Sequence, residues 1–210
     1  MELYPIHLQL AGRKALVVGG GQVASVKAAA LLDGGATVEI VAPSLSEEMK
    51  LLVEAHKLQS NSREFQTRDL EGAWLVVGAT DDPRVQQTIF EEARRKNIMV
   101  CIVDDPARSD FIVPAVLRRG DLIVTVSTSG IAPALASRIR DYLGEILGEP
   151  FGKTVEDLKE VRKRLKRTFP ELPERREEWF KLLDNIVLPA LRRGEMPNLV
   201  RDYPPDKEEA

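Results

Sequence analysis

A short apolar run, Ala15-Leu16-Val17-Val18, stops at three consecutive glycines, and an alanine- and leucine-rich stretch follows at once from Gln22 to Leu32. This order constrains the fold more than any other feature of the chain. An apolar run without polar alternation suits a strand buried on both faces, and such strands belong to parallel sheets covered by helices. Gly34-Gly35 closes the helical stretch with residues suited to the turn after a helix. A second apolar run, Val38 to Val41, comes next. Strand, glycines, helix and strand thus occur in order within about 30 residues, the span of one βαβ unit.

Gly19-Gly20-Gly21-Gln22-Val23-Ala24 fits the spacing G-x-G-x-x-A at the junction of strand and helix. Gly19 permits a tight turn, Gly21 lets backbone approach a pyrophosphate, and Ala24 is small enough for close helix–strand packing. The free N–H groups and positive dipole end of the helix would hold the phosphates. The second strand ends Ile40-Val41-Ala42-Pro43-Ser44, without the acidic residue that usually grips the adenosine ribose and without a following arginine. Glu39 lies inside that strand and reads as a solvent-facing or edge residue. NAD is favoured over NADP.

The alternation continues. Ala73 to Gly78 reads as a strand, Pro83 to Lys96 as a helix opened by proline, and Val100 to Val103 as a further buried strand. After Asp105 the pattern changes. Phe111 to Leu117 and Leu122 to Ser127 flank Arg118-Arg119-Gly120-Asp121 as a hairpin, and a helix runs from about Pro133 to Leu147. Gly148 to Gly152 is the best linker candidate. Thr154 and Asp157 could form a capping box beyond it, ahead of Leu158, Val161 and Leu165 at helical spacing. Two proline-bounded helical stretches follow, and Asp202 to Ala210 reads as a frayed polar tail. The expected organisation is α/β: a Rossmann-like parallel-sheet NAD-binding domain over 1–112, a strand–helix region over 113–149, and a helical domain over 150–210.

Across 210 residues, 30 basic side chains face 33 acidic ones, so no charge excess points to nucleic acid. No apolar segment approaches the roughly 20 residues that span a bilayer, and the N-terminus lacks a secretion signal. The single cysteine, Cys101, suits a small buried hydrophobe in a reducing compartment, so a cytoplasmic protein is expected. His7 and His56 stand far apart, and no C-x-x-C or H-E-x-x-H pattern occurs, so no metal site is assigned.

The chain resembles the precorrin-2 dehydrogenase/sirohydrochlorin ferrochelatase family, which also forms the N-terminal part of siroheme synthases. The resemblance starts at Leu3-Tyr4-Pro5-Ile6 and runs through Val17-Val18-Gly19-Gly20-Gly21, Val41-Ala42-Pro43, Ala79-Thr80-Asp81-Asp82 and Val103-Asp104-Asp105-Pro106. It continues in Phe111-Ile112-Val113-Pro114, Val126-Ser127-Thr128-Ser129-Gly130, Pro133-Ala134-Leu135-Ala136 and Glu174-Arg175-Arg176-Glu177-Glu178-Trp179. The order of these motifs, covering essentially residues 1 to 180, is more specific than any one of them.

The resemblance implies an intertwined homodimer in which the middle region supplies much of the contact. It also implies NAD-dependent oxidation of precorrin-2 to sirohydrochlorin; many members then insert ferrous iron, and that activity stays open here. Asp104 takes the family's catalytic aspartate position, where a carboxylate can accept a proton as hydride leaves and pyrrole protons as metal enters. Asp105 reads as a cap. Gln22, Val23, Pro43 and Ser44 match dinucleotide-contacting positions, and Thr80 and Asp81 line the nicotinamide side. Ser127 and Thr128 would face the macrocycle. The family's serine-serine/threonine-glycine-glycine loop reads Ser127-Thr128-Ser129-Gly130, however, and Ala132 replaces a common serine. The substrate's eight carboxylates call for cations, with Arg118, Arg119, Arg138 and Arg140 as candidates by position. The chain length leaves no room for a fused methyltransferase domain, so methylation is expected from a separate enzyme.

Two other readings compete. A non-catalytic NAD-sensing module, such as a potassium-transport regulator, predicts the same glycine loop but usually an acidic second-strand end, and leaves Asp104 unexplained. A small-carbonyl dehydrogenase would want a Tyr-x-x-x-Lys pair or a later histidine. Tyr142 has Ile146 at that offset, and no histidine follows His56.

Overall fold

A computed structural model describes residues 2–199; the expected polar tail at 202–210 lies outside the described residues. The chain divides into two compact units between Val113 and Pro114.

In the first unit, β1 (Lys14–Val18), β2 (Thr37–Val41), β3 (Gln59–Asn61), β4 (Leu75–Gly78) and β5 (Met99–Ile102) form one parallel sheet in the order β3-β2-β1-β4-β5. The connecting helices are α1 (Gln22–Asp33), α2 (Glu47–His56) and α3 (Pro83–Arg95). The expected α/β class with a Rossmann-like parallel sheet is what the chain adopts. Alternate residues of β1, β2, β4 and β5 enter opposite cores, as the pleat requires. Val17, Val38, Ile40, Val77 and Cys101 pack with Ala24 and Ala28 of α1 and Met49 of α2. Leu16, Val18, Val76, Val100 and Ile102 pack with Ile89 and Ala93 of α3. Burial pushes the Cys101 thiol above its ordinary range, which suits an inert packing role.

Two elements carried no expectation. Helix α2 is started by Ser46, whose hydroxyl accepts the Met49 N–H at 3.2 Å. Strand β3 is three polar residues on the sheet edge. Gln59 and Asn61 each donate a side-chain hydrogen bond to Glu39 Oε1, at 3.2 and 2.9 Å. Between β3 and β4, Arg63 forks onto the buried Asp69 at 2.6 and 2.8 Å and holds its carboxyl below the usual range.

The second unit opens with β6 (Ala115–Arg119) and β7 (Leu122–Val126), an antiparallel pair. The strand expected from Phe111 starts four residues later, after Pro114, which has no N–H for a ladder. Arg118 and Arg119 are paired strand residues; the turn is Gly120-Asp121 alone, with Gly120 at φ +55°. Helices α4 (Pro133–Ile146), α5 (Glu149–Thr168), α6 (Leu172–Leu182) and α7 (Leu188–Arg192) follow.

The expected linker Gly148 to Gly152 is not one, because α5 begins at Glu149 with Pro150 in its first turn. Gly152 is buried inside α5 where the helix crosses the hairpin; a Cβ there would fall 2.6 Å from the Arg119 carbonyl oxygen. The expected capping box at Thr154 is also absent. Thr154 lies inside the helix and its hydroxyl donates to the Pro150 carbonyl at 2.8 Å. Since α5 packs on β6 and β7, the division expected at 149/150 has no counterpart in the compact units. The helical core is Val161, Leu165, Leu182, Val187, Leu191 and Leu199. Between α6 and α7, Leu183–Val187 widens into a π turn with Leu188 N–H bonded to the Leu183 carbonyl. Pro189, which has no N–H to continue the α pattern, follows at once.

Candidate cofactor and catalytic site

From β1 the chain runs outward to β2 and then crosses to β4 on the other side of β1. Ligands of open parallel sheets bind at such a reversal, beyond the carboxyl ends of the strands. Four loops meet there and their bases are stitched together. Gly19 N–H donates to the Val41 carbonyl at 2.9 Å, and Ala79 N–H to the Val18 carbonyl at 2.7 Å. Val103 N–H donates to the Gly78 carbonyl at 2.9 Å.

The three glycines differ in what they permit. Gly19, at φ +130°, passes so close to β4 that a Cβ would fall 2.1 Å from the Ala79 carbonyl oxygen. Gly20 is as tight on the other side, 2.0 Å from the Ser44 carbonyl oxygen, and its own carbonyl accepts the Ser46 N–H at 2.8 Å. Sequence spacing left Gly20 as an unspecified middle position; the packing makes it as restricted as Gly19. Gly21 faces open space. It is the N-cap of α1, which has no side-chain cap and no acidic residue in its first turn. Helices α2 and α3 are capped by Ser46 and Asp82. In the first unit, α1 alone therefore presents uncapped N–H groups beside an open glycine, which fits a dinucleotide pyrophosphate.

Gln22, Val23, Pro43 and Ser44 are exposed around this helix start, two from α1 and two from the loop after β2. Glu39 is neither at the edge nor solvent-facing. Its side chain is 12% exposed and pairs with Lys14 Nζ at 2.7 Å, bracing β1, β2 and β3. It is thus committed within the sheet. After β4, Thr80 is half-buried, with its hydroxyl accepting Asp82 N–H at 3.3 Å, and Asp81 is exposed.

Asp104 sits just beyond β5 with φ +60°, exposed, at the tip of a turn closed by Asp105 N–H on the Ile102 carbonyl at 3.1 Å. Asp105 is a cap, accepting Arg108 N–H at 3.1 Å and Arg108 Nε–H at 2.6 Å. The glycine loop, the Ala79–Asp81 segment and Asp104 thus lie at the carboxyl ends of three adjacent strands. Gln86, Arg108 and Ser109, which bond to these loops, carried no sequence expectation, and the Arg108–Gln86 bond spans 22 residues.

Ser127, Thr128, Arg118 and Arg138 belong to the second unit. Ser127 Oγ accepts Ser129 N–H and Thr128 Oγ1 accepts Ala132 N–H, each at 3.1 Å, so the hydroxyls shape the loop that starts α4. Arg118 and Arg138 are exposed. Arg119 is instead structural, reaching the Leu147 and Gly144 carbonyls at the end of α4, and Arg140 pairs with Asp141. Among the described residues no cluster of three or more His, Cys, Asp or Glu could hold a metal, and no helix is long and apolar enough to cross a membrane.

Residues 6–115 match the model of a family described as "Putative NAD(P)-binding". A siroheme synthase of Aeromonas hydrophila is 38% identical over 196 residues, covering 93% of this chain and 42% of that protein. A siroheme synthase of Photorhabdus laumondii is 37% identical over the same shares. The chain therefore spans about two-fifths of the length of these curated relatives. A solved structure of SirC, a precorrin-2 dehydrogenase, superposes with a TM-score of 0.74 at 26% identity, covering 91% of this chain and 96% of that one. The chain belongs to this NAD(P)-binding family, and over most of its length it is similar to SirC and to the siroheme synthases.

Proposed function

We propose that this protein oxidises precorrin-2 to sirohydrochlorin, with NAD reduced to NADH and one proton released. The observation that carries the reading is the uncapped start of α1 at the strand-order reversal, with the Asp104 turn two strands away on the same sheet edge. Similarity to SirC and the siroheme synthases supplies the substrate. Bound NAD would supply the hydride acceptor. The first-turn N–H groups of α1 hold its pyrophosphate, with Gln22, Val23, Pro43 and Ser44 around the adenosine half and Thr80 and Asp81 beside the nicotinamide. Asp104 takes the proton that the macrocycle releases as hydride departs. The loop after β2 offers neither an acid nor a phosphate-binding arginine, and NAD is the form proposed.

The macrocycle's carboxylates are assigned to Arg118 and Arg138, and its polar edge to Ser127 and Thr128. These hydroxyl oxygens accept loop N–H groups, which leaves their protons to donate to a ligand. Insertion of ferrous iron is proposed as a second activity at the same carboxylate. The macrocycle brings four nitrogen ligands, so the protein need only receive the displaced pyrrole protons. The protein is further proposed to act in the cytoplasm as a homodimer joined through the second unit. Leu135, Ile139, Tyr142 and Ile146 of α4, spaced by four, three and four residues, make one exposed apolar stripe.

The test compares wild type with Asp104→Ala in anaerobic NADH formation from precorrin-2, then in iron insertion into the product. Turnover in the variant is expected to fall about 100-fold or more while NAD binding persists. A folded variant with full activity in both assays would remove Asp104 from the chemistry.

A further inference from the structure

Four non-glycine residues among those described have positive φ: Lys57, Asn97, Asp104 and Ser129. Lys57 and Asn97 follow the ends of α2 and α3, where a left-handed residue closes the last turn. Asp104 closes no helix, and its conformation is imposed by its neighbours. The Ser109 hydroxyl accepts Ile102 N–H at 2.9 Å and donates to the Asp105 carbonyl at 2.7 Å, gripping the turn from both sides.

Arg108 then ties that turn to the loop after β4. Its Nε–H donates to Asp105 Oδ2 at 2.6 Å, and its two terminal nitrogens donate to Gln86 at 3.1 Å and Gln87 at 3.2 Å. Gln86 turns its amide the other way and donates to the Thr80 carbonyl at 2.7 Å. Thr80 adjoins Ala79, whose carbonyl lies against Gly19. A hydrogen-bonded path therefore runs from Thr80 through Gln86 and Arg108 to Asp105, next to Asp104, and starts beside the glycine loop. The Arg108 guanidinium also holds the Asp105 carboxyl below its usual range, which keeps the ion pair formed.

We propose that Arg108 and Gln86 are positioning residues, locking the turn that carries Asp104 to the Thr80 loop at the nicotinamide edge. Asp104 and the Thr80 segment come from different strands, joined at their bases by Val103 N–H on the Gly78 carbonyl; the Arg108–Gln86 link ties them further out. Proton and hydride must leave one substrate along fixed directions, and a displacement of about 1 Å is enough to slow such a step about 100-fold. The proposal rests on the reading of Asp104 as the proton acceptor.

The experiment uses the full chain with Arg108→Ala, Gln86→Ala, the double variant and Arg108→Lys. Its readouts are kcat, KM for NAD, and amide hydrogen exchange across residues 79–82 and 102–109. Expected are a fall in kcat of about 10-fold or more with KM within about twofold, and a double variant no slower than the worse single one. Arg108→Lys should not rescue, because an ammonium cannot make the three-armed contact. Exchange should quicken in both loops whichever residue is changed. Unchanged kcat in folded variants, losses that multiply in the double variant, or exchange confined to the mutated loop would each overturn the proposal. If the wild type makes no NADH, the functional reading fails separately, and the exchange pattern decides the coupling.

Discussion

The two units solve the burial problem differently. In the first, both faces of a five-stranded sheet are covered by the unit's own helices, and the strand residues Leu16, Val17, Ile40, Val76 and Val100 are almost wholly buried. In the second, a two-stranded hairpin packs against α4 and α5, and α4 keeps an apolar stripe exposed. Leu135 is 54% exposed and Tyr142 62% exposed, and the compact core lies further along, among α5, α6 and α7. An exposed apolar stripe of this kind is what the proposed dimer would cover. The first unit presents its open helix start at the sheet edge, the second an exposed apolar stripe on α4.

The glycine loop offers the largest expected break in that comparison. Gly20→Ala would force a Cβ onto the Ser44 backbone, costing about 3 kcal/mol of stability and abolishing NAD binding. Gly21→Ala meets nothing in the protein and should leave the melting temperature unchanged, while a methyl group at the phosphate weakens NAD about tenfold. Calorimetry with and without NAD distinguishes them, and equal losses of stability would contradict the distinction. In the second unit, Ile139→Asp should turn a dimer into a folded monomer by sedimentation, raising the dissociation constant about 100-fold or more. A protein that is monomeric before mutation would leave the stripe without its proposed partner.

The smallest effect concerns pH. Arg63 depresses the folded pKa of Asp69, so the carboxylate stabilises the first unit above its ordinary unfolded value of about 4. That stability is lost as pH falls through the lower folded value. Wild type should therefore lose about 1–2 kcal/mol more than Asp69→Asn on acidification from neutral pH. Parallel acid profiles would remove Asp69 from the account.

The sheet was legible because its apolar runs and the glycine spacing are local signals. Asp105 as a cap was also legible, since Pro106 follows it directly. Strand β3 was not, because Gln59-Ser60-Asn61 has no apolar pattern and exists through its pairing with Glu39 and β2. Thr154 looked like a cap because its hydroxyl and Asp157 have the right spacing, yet Pro150 starts the helix earlier. Arg119 looked like a substrate cation because the carbonyls it meets lie 25 and 28 residues away. The Gln86–Arg108 link was hidden for the same reason, its partners being 22 residues apart.

The most direct test of the account is to supply the wild-type protein anaerobically with enzymatically made precorrin-2 and NAD, and to follow NADH and sirohydrochlorin together. The account predicts equimolar appearance of the two, dependent on both reactants. A folded protein that binds NAD yet produces neither would contradict it and leave the glycine loop as a nucleotide sensor.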